Sequence, residues 1–253
     1  MGRESNVTST CSNCESHLIY PPAHAKRANG SDSQTSSGHD RYYWRERLVE
    51  YGNTTSNCVV KDGKFKVAQY GQWDGYLRGQ GHNICSFVMR RLQTPEGLAT
   101  FKERVDQVVD VDDAHVEQLW NSLGVTVGAN MDQVDEFNKQ WPNLNRDYGA
   151  RILDYVYWNN GARVHLEVEF AGDSLFCEWC YVIDLDNDTL EIYQGFNKEP
   201  VPEGERFHGF ERGPNEKYHP VKLWHTVALS EINENTIPSL LKREEAENAA
   251  EET

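Results

Sequence analysis

Cys58-Val-Val-Lys-Asp-Gly-Lys-Phe-Lys-Val-Ala-Gln69 carries the strongest short hairpin signal in the chain. Asp62-Gly63 suits the two left-handed positions of a tight turn, and strand-forming residues flank it on both sides. The pattern predicts a β-hairpin over Cys58–Val60 and Lys64–Gln69. Downstream, from Ile84 to about Trp158, the period becomes helical. Thr94-Pro95 places a cap before a proline suited to the first helical position, and Leu98, Phe101, Val105 and Val108 fall on one face. Asp112 or Asp113 caps a second helix carrying Val116, Leu119, Trp120 and Leu123, which Gly124 ends. Val134, Phe137 and Trp141 mark a third helix closed by Pro142, and Ile152, Tyr155 and Val156 a fourth. Strands return over Val164–Phe170, Glu178–Asp186, Leu190–Phe196 and Lys222–Leu229, with Asn187-Asp188 suited to a tight turn. Grouped strands, then helices, then strands predict an α+β fold: an antiparallel sheet built from the N-terminal hairpin and the C-terminal strands, with a helical block between. Trp120, Trp141, Trp179 and Ile183 are its expected core residues.

The flanks read differently. Residues 1–40 are polar and carry no period of 3.6 or 2, so they bury too little apolar area to offset ordering entropy, and a disordered arm is expected. The single domain is expected over residues 41–240, opening with a short amphipathic helix at Tyr42–Tyr51. Residues 241–253 are an acidic tail, expected to be frayed or a solvated helix. No stretch approaches the roughly 20 apolar residues of a membrane span, and Met1–Cys14 is polar where a signal peptide needs an apolar run. A cytoplasmic protein without membrane partners is expected. The net charge of −15 opposes nucleic-acid binding, and the compact basic cluster Arg41, Arg45, Arg47 alternates with Glu46 and Glu50 as a solvated helix face would. Six cysteines without a secretory signal read as reduced thiols.

The unusual chemistry is concentrated in Gln69–Gly81, where Gly71, Gly75, Gly79 and Gly81 alternate with Tyr70, Trp73 and Tyr76 and with Gln69, Gln72 and Asp74. Glycines allow close backbone approach and amphipathic rings line pockets, so Gln69, Tyr70, Gln72, Trp73, Asp74 and Tyr76 are the candidate ligand residues, for a small molecule or a protein. The alternative is a tight turn whose aromatics complete the core while Asp74 binds backbone donors. The glycine spacing matches neither phosphate motif, and no cofactor is expected. Cys58, Asp74, His82 and Cys85 supply the raw material of nucleophilic catalysis, with Cys58, Asp74 and His82 as the candidate catalytic residues. Cys177 and Cys180 sit in a strand where a separation of three puts them on opposite faces, which disfavours a shared metal. Glu178 needs a partner if that strand is central and is solvated if it is an edge. Cys11, Cys14, His17 and His24 have the ligand count of a small zinc knot but no apolar residues around them, so no metal is assigned.

Val67–Tyr76 ("VAQYGQWDGY") and Cys177–Asp186, followed by Tyr193-Gln-Gly-Phe-Asn197, resemble the paired hallmark segments of an uncharacterised protein family from phages, bacteria and fungi. The resemblance spans Gly52 to about Leu229. It implies shared ancestry and brings no activity. The chain departs from the family pattern at Leu77, where a proline is usual, at Cys180, where a small residue is usual, and in the arm before Gly52. Three functions stay open: a ligand-binding or interaction protein, a cysteine-dependent hydrolase resembling N-terminal nucleophile hydrolases in layout, and a structural partner in a larger assembly. Limited proteolysis is expected to trim the chain to a core starting between about Arg41 and Gly52 and ending near Leu240, and rapid cutting within Ile84–Trp158 with the ends resistant would contradict a single domain.

Overall fold

The structure, a computed structural model, describes residues 53–125, 128–215 and 217–251. The expected arm, the Cys11, Cys14, His17, His24 cluster, and the expected helix at Tyr42–Tyr51 with Arg41, Arg45 and Arg47 lie outside the described residues. The order is β1 (Thr55–Lys61), β2 (Lys64–Gly71), α1 (His82–Arg91), α2 (Pro95–Asp106), β3 (Val109–Asp110), α3 (Asp113–Ser122), α4 (Met131–Gln140), α5 (Arg151–Trp158), β4 (Arg163–Val164), β5 (Trp179–Asp184), β6 (Thr189–Gln194), β7 (Lys222–Ala228) and α6 (Thr236–Glu251). This is the α+β arrangement. Among the described residues no helix is long and apolar enough to cross a membrane.

Local signals act where the sequence places them. Asp62 and Gly63 take φ of 55° and 66°, closing the β1–β2 hairpin. Thr94 accepts a hydrogen bond from Gly97 N at 3.1 Å and Asp112 one from His115 N at 2.8 Å, each satisfying a helix-start donor. Asn130 and Gln133 form a reciprocal capping box at the start of α4.

The five-stranded sheet runs β2-β1-β5-β6-β7. It is mixed where an antiparallel sheet was expected, because β1 and β5 pair parallel, from Thr55 opposite Trp179 to Val60 opposite Asp184. The cause is the return path. Gly71 at the end of β2 faces Thr55, which faces Trp179, so the helical block re-enters the sheet at the end it left. Only there does β5 run beside β1 in the same direction.

Side-chain alternation divides the sheet into two faces. Val59, Tyr181, Ile183 and Ile192 pack against α1, α2, α5 and α6 through Phe87, Phe101, Ile152 and Leu240. Cys58, Val60, Cys180 and Val182 pack against irregular chain carrying Phe170, Phe207 and Val221. The second layer corrects the expected strand at Val164–Phe170. Only Arg163–Val164 pairs, in parallel with β3, after which Val168–Gly172 turns as a 3-10 helix. Glu167 N donates to Ala68 O, and Phe170 meets Tyr70 edge-on at 4.8 Å, so the segment covers β2 instead of extending the sheet. Cys177 also differs from expectation: β5 begins at Trp179, strand alternation does not reach Cys177, and its side chain joins Cys180 in the same cluster.

Trp179 and Ile183 are core residues, whereas Trp120 and Trp141 are half-buried around Phe137 in a satellite cluster. Helix α6 carries the acidic segment to Glu251. Ile237 and Leu240 bury its first turns, and Trp224 Nε1 donates to Glu247 at 2.5 Å on a later one.

The far sheet end is held by carboxylates. Asp186 accepts from Asp62 N and Gly63 N at 2.8 Å each, joining the two hairpin turns. Buried Asp184 accepts from Asp186 N and Asn187 N and pairs with Arg206 at 2.5 Å. Burial alone would raise the Asp184 proton affinity, but its bonds from Asn187 and Arg206 outweigh it and hold the carboxyl below its usual range. The associated stability is present above the unfolded-state value, about 3.9, and is lost as pH falls through the lower folded value. Melting temperature should therefore drop on acidification, and less steeply in Asp184→Asn. Trp179→Ala should cost about 3–5 kcal/mol, the range for large core aromatics, and an unchanged melting temperature would refute the placement of Trp179 in the core.

Candidate functional site

The Gln69–Gly81 loop leaves β2 at a point of close backbone contact. A Cβ on Gly71 would lie 2.8 Å from Thr55 Cγ2, so any larger residue would have to displace the Thr55 side chain on the neighbouring strand. The next residues are bonded one after another. Gln72 N donates to Arg146 O at 3.1 Å, and Trp73 Nε1 to Asp147 Oδ1 at 2.8 Å. Asp74 adopts φ of 56°, which reverses the chain. Gly75 N then donates to Asn53 O at 2.7 Å, while the buried Tyr181 hydroxyl donates to Gly75 O at 2.8 Å. Leu77–Gly81 closes as a single π-helical turn leading into α1.

Gln80 ties the loop together. Its backbone N donates to Asp74 O at 2.7 Å, its side-chain amide donates to Trp73 O at 3.0 Å, and its amide oxygen accepts from Ala150 N at 2.8 Å. Sequence reasoning missed Gln80 and the residues that hold the loop from across the fold, Arg146, Asp147 and Ala150. Their signal was the turn chemistry of Asn145-Arg-Asp-Tyr-Gly149, where Gly149 has φ of 51°.

The six candidate ligand residues divide. Gln69 and Gln72 are buried, and the Gln69 amide donates to Asn145 O at 3.3 Å. Tyr70 is half-buried against Phe170, and Trp73 is half-buried through its bond to Asp147. Asp74 and Tyr76 alone are exposed and adjacent, the Tyr76 hydroxyl donating to Asp74 Oδ1 at 3.0 Å. That bond raises the phenol's proton affinity, since the neighbouring carboxylate favours the neutral donor.

The three candidate catalytic residues do not meet. Cys58 is 2% exposed in β1, on the sheet face turned away from the helices. His82 is exposed on α1, which packs on the opposite face, with Nε2 3.4 Å from Ser86 Oγ. Hydrogen bonding with Cys180 lowers the Cys58 proton affinity, burial opposes that, and Ser56 and Arg206 assist it. Cys85 is pushed up to about 12 by burial and keeps its proton at neutral pH. Glu178 is half-buried, with a carboxyl raised by desolvation, and has no ion pair among the described residues. No group of three or more His, Cys, Asp or Glu among the described residues is placed to hold a metal.

Comparison of the chain with protein-family models, curated proteins and solved structures finds no match.

Two concavities flank the loop. A space of about 60 Å³ lies under Gln69, Tyr70, Arg146 and His165. A groove of about 650 Å³ begins at Arg78 and runs between α1 and α6, over Cys85, Met89, Ile237 and Leu241. The α6 wall was missed because the acidic residues that follow mask the short apolar period at its start. The loop's bracing is directly testable. A Cβ on Gly79 would lie 2.1 Å from Asp74 O, a backbone atom that cannot swing away. Gly79→Ala should cost about 2–3 kcal/mol, at the upper end of ordinary point mutations. Thermal melts should show a fall of several degrees, at about 2–4 °C per kcal/mol for a chain this size.

Proposed function

We propose that this chain is a binding protein whose recognition surface is the outer rim of the Gln69–Gly81 loop, with Asp74 and Tyr76 at its centre and Arg78 beside them. One observation carries the reading: Asp74, exposed to solvent, is kept in a left-handed conformation unfavourable to most non-glycine residues by backbone bonds made behind it. A fixed rim loses little conformational entropy on binding, so its few contacts are effective. The chemistry presented is an acceptor carboxylate, a phenol and a guanidinium. It fits a small molecule or protein that offers a donor or cation to Asp74 and a flat apolar face to Tyr76.

The chain is also proposed as a member of the family its two hallmark segments resemble. In support, both segments pair with β1, one as β2 and the loop, the other as β5, and they touch where Tyr181 donates to Gly75. A reducing, cytoplasmic setting accords with the free thiols of Cys58, Cys85, Cys177 and Cys180. The charge of −15 argues against nucleic acid as the ligand.

Lowered proton affinity at Cys58 is the one observation favouring a thiol hydrolase. Burial opposes it: a nucleophile needs a path for substrate, and Cys58 is enclosed on a central strand. Iodoacetamide on the folded protein should leave Cys58 unmodified, and rapid alkylation there would restore the hydrolase reading.

The binding reading is tested by a thermal-shift panel of amines, guanidines and polar aromatics on wild type, Asp74→Asn and Tyr76→Phe. A ligand at a hundred times its Kd stabilises by about 2.7 kcal/mol. The variants should melt close to wild type while losing that ligand-induced shift. An equal shift in wild type and Asp74→Asn would remove the carboxylate from the site.

A further inference from the structure

We infer that the groove between α1 and α6 is the docking site of this chain's own segment Arg41–Tyr51, bound as an amphipathic helix. The groove's floor is apolar, with Cys85 and Ile237 buried and Met89 and Leu241 half-buried along it. Its α6 side carries Glu234 and Glu245, with Glu244 half-buried nearby. None of these three carboxylates has an ion pair among the described residues. Burial, and then the neighbouring Glu245, raise the Glu244 proton affinity, the mark of a carboxylate short of positive charge although Arg78 opposes the shift. Arg78 and Lys242 also line the rim, so the vacancy is for cations along the Glu244–Glu245 turn in particular.

The segment Arg41-Tyr-Tyr-Trp-Arg-Glu-Arg-Leu-Val-Glu-Tyr51 has the matching pattern. On a helix Trp44, Leu48 and Tyr51 form one stripe at i, i+4 and i+7. Arg41 and Arg45 border that stripe on one side and Arg47 on the other, while Glu46 and Glu50 point away. An apolar stripe edged by guanidinium groups complements an apolar floor edged by carboxylates. Lengths agree as well. Eleven helical residues span about 16 Å, and the α6 wall from Ile237 to Glu245 spans about 12 Å, at 1.5 Å per residue.

The tether settles which molecule supplies the occupant. The described chain begins at Asn53, whose carbonyl accepts the Gly75 N–H, and the groove opens three residues beyond Gly75, at Arg78. Only Gly52 separates Tyr51 from Asn53. A short tether gives the segment an effective concentration in the millimolar range, which favours it over a second copy at ordinary protein concentrations. The loop rim's proposed role does not depend on this docking, and either can fail alone.

Hydrogen exchange with mass-spectrometric readout on the full chain is the test. Amides of Arg41–Tyr51 should exchange at least about tenfold more slowly than an unstructured chain, independently of protein concentration. In Trp44→Asp/Leu48→Asp that protection should vanish, and Ile237–Glu245 should exchange faster. Glu244→Lys/Glu245→Lys should also release the segment, and adding Arg41→Glu/Arg45→Glu should restore it. Unstructured exchange rates at Arg41–Tyr51 in the wild type would overturn the inference. So would protection that grows with concentration, which assigns the groove to a second copy. Unchanged exchange at Ile237–Glu245 in the arm variant, or retained protection in the Glu244, Glu245 variant, would overturn it as well.

Discussion

Strand β1 is enclosed by neighbouring strands on both edges and by packed side chains on both faces. This strand pairs antiparallel with β2 and parallel with β5, and every residue from Thr55 to Val60 is buried. A strand covered on both faces needs a layer on each, which the helices supply on one side and irregular chain on the other. Its polar members must be satisfied locally: Ser56 Oγ lies 3.3 Å from Cys58 Sγ, and the Asn57 amide reaches Gln69 O at 3.5 Å. Asn57 Oδ1 and Gln72 Oε1 receive no protein donor among the described residues, so these two buried oxygens, on β1 and just past the end of β2, are natural partners for internal water.

The loop inherits its rigidity from that strand. Gly71 lies against Thr55, Gly75 against the chain just before β1, and Tyr181, on the strand beside β1, holds the Gly75 carbonyl. Removing either of the two Gly75 hydrogen bonds leaves a backbone carbonyl or amide unpaired, which costs more than the bond contributes when formed. The glycines there are consequently sites of contact, and the conformation with positive φ falls on Asp74 instead.

Signals confined to a few consecutive residues were legible in the sequence. Asp62-Gly63 gave the hairpin, Thr94 and Asp112 the helix starts, and Gly124, with φ of 75°, the end of α3. Features set by residues distant in sequence were not. The parallel pairing of β1 with β5 depends on where the helical block returns, and no local pattern encodes that. Val164–Phe170 has the composition of a strand, but it meets the open edge of β2 through the Glu167 N to Ala68 O bond before turning as a 3-10 helix, and its apolar residues serve as cover. At the site the loop itself was legible from its glycines and rings. Which of its side chains point outward was not, because Asp147 and Ala150, which draw Trp73 and Gln80 inward, lie some seventy residues away.

The same distinction bears on chemistry. Cys58, Asp74 and His82 are close in sequence because one hairpin, one loop and one turn succeed each other, yet the sheet passes between Cys58 and His82. Nucleophilic catalysis requires a base within hydrogen-bond reach of the thiol, and proximity along a chain that crosses a sheet does not supply it. What surrounds Cys58 is Cys180, Ser56 and the field of Arg206, groups that stabilise charge but offer no proton acceptor of suitable strength at neutral pH. Asp74 and Tyr76 have the complementary properties: access to solvent, mutual hydrogen bonding and a backbone fixed from behind. Recognition needs solvent access and preorganisation together, and among the candidate residues only the loop rim combines them.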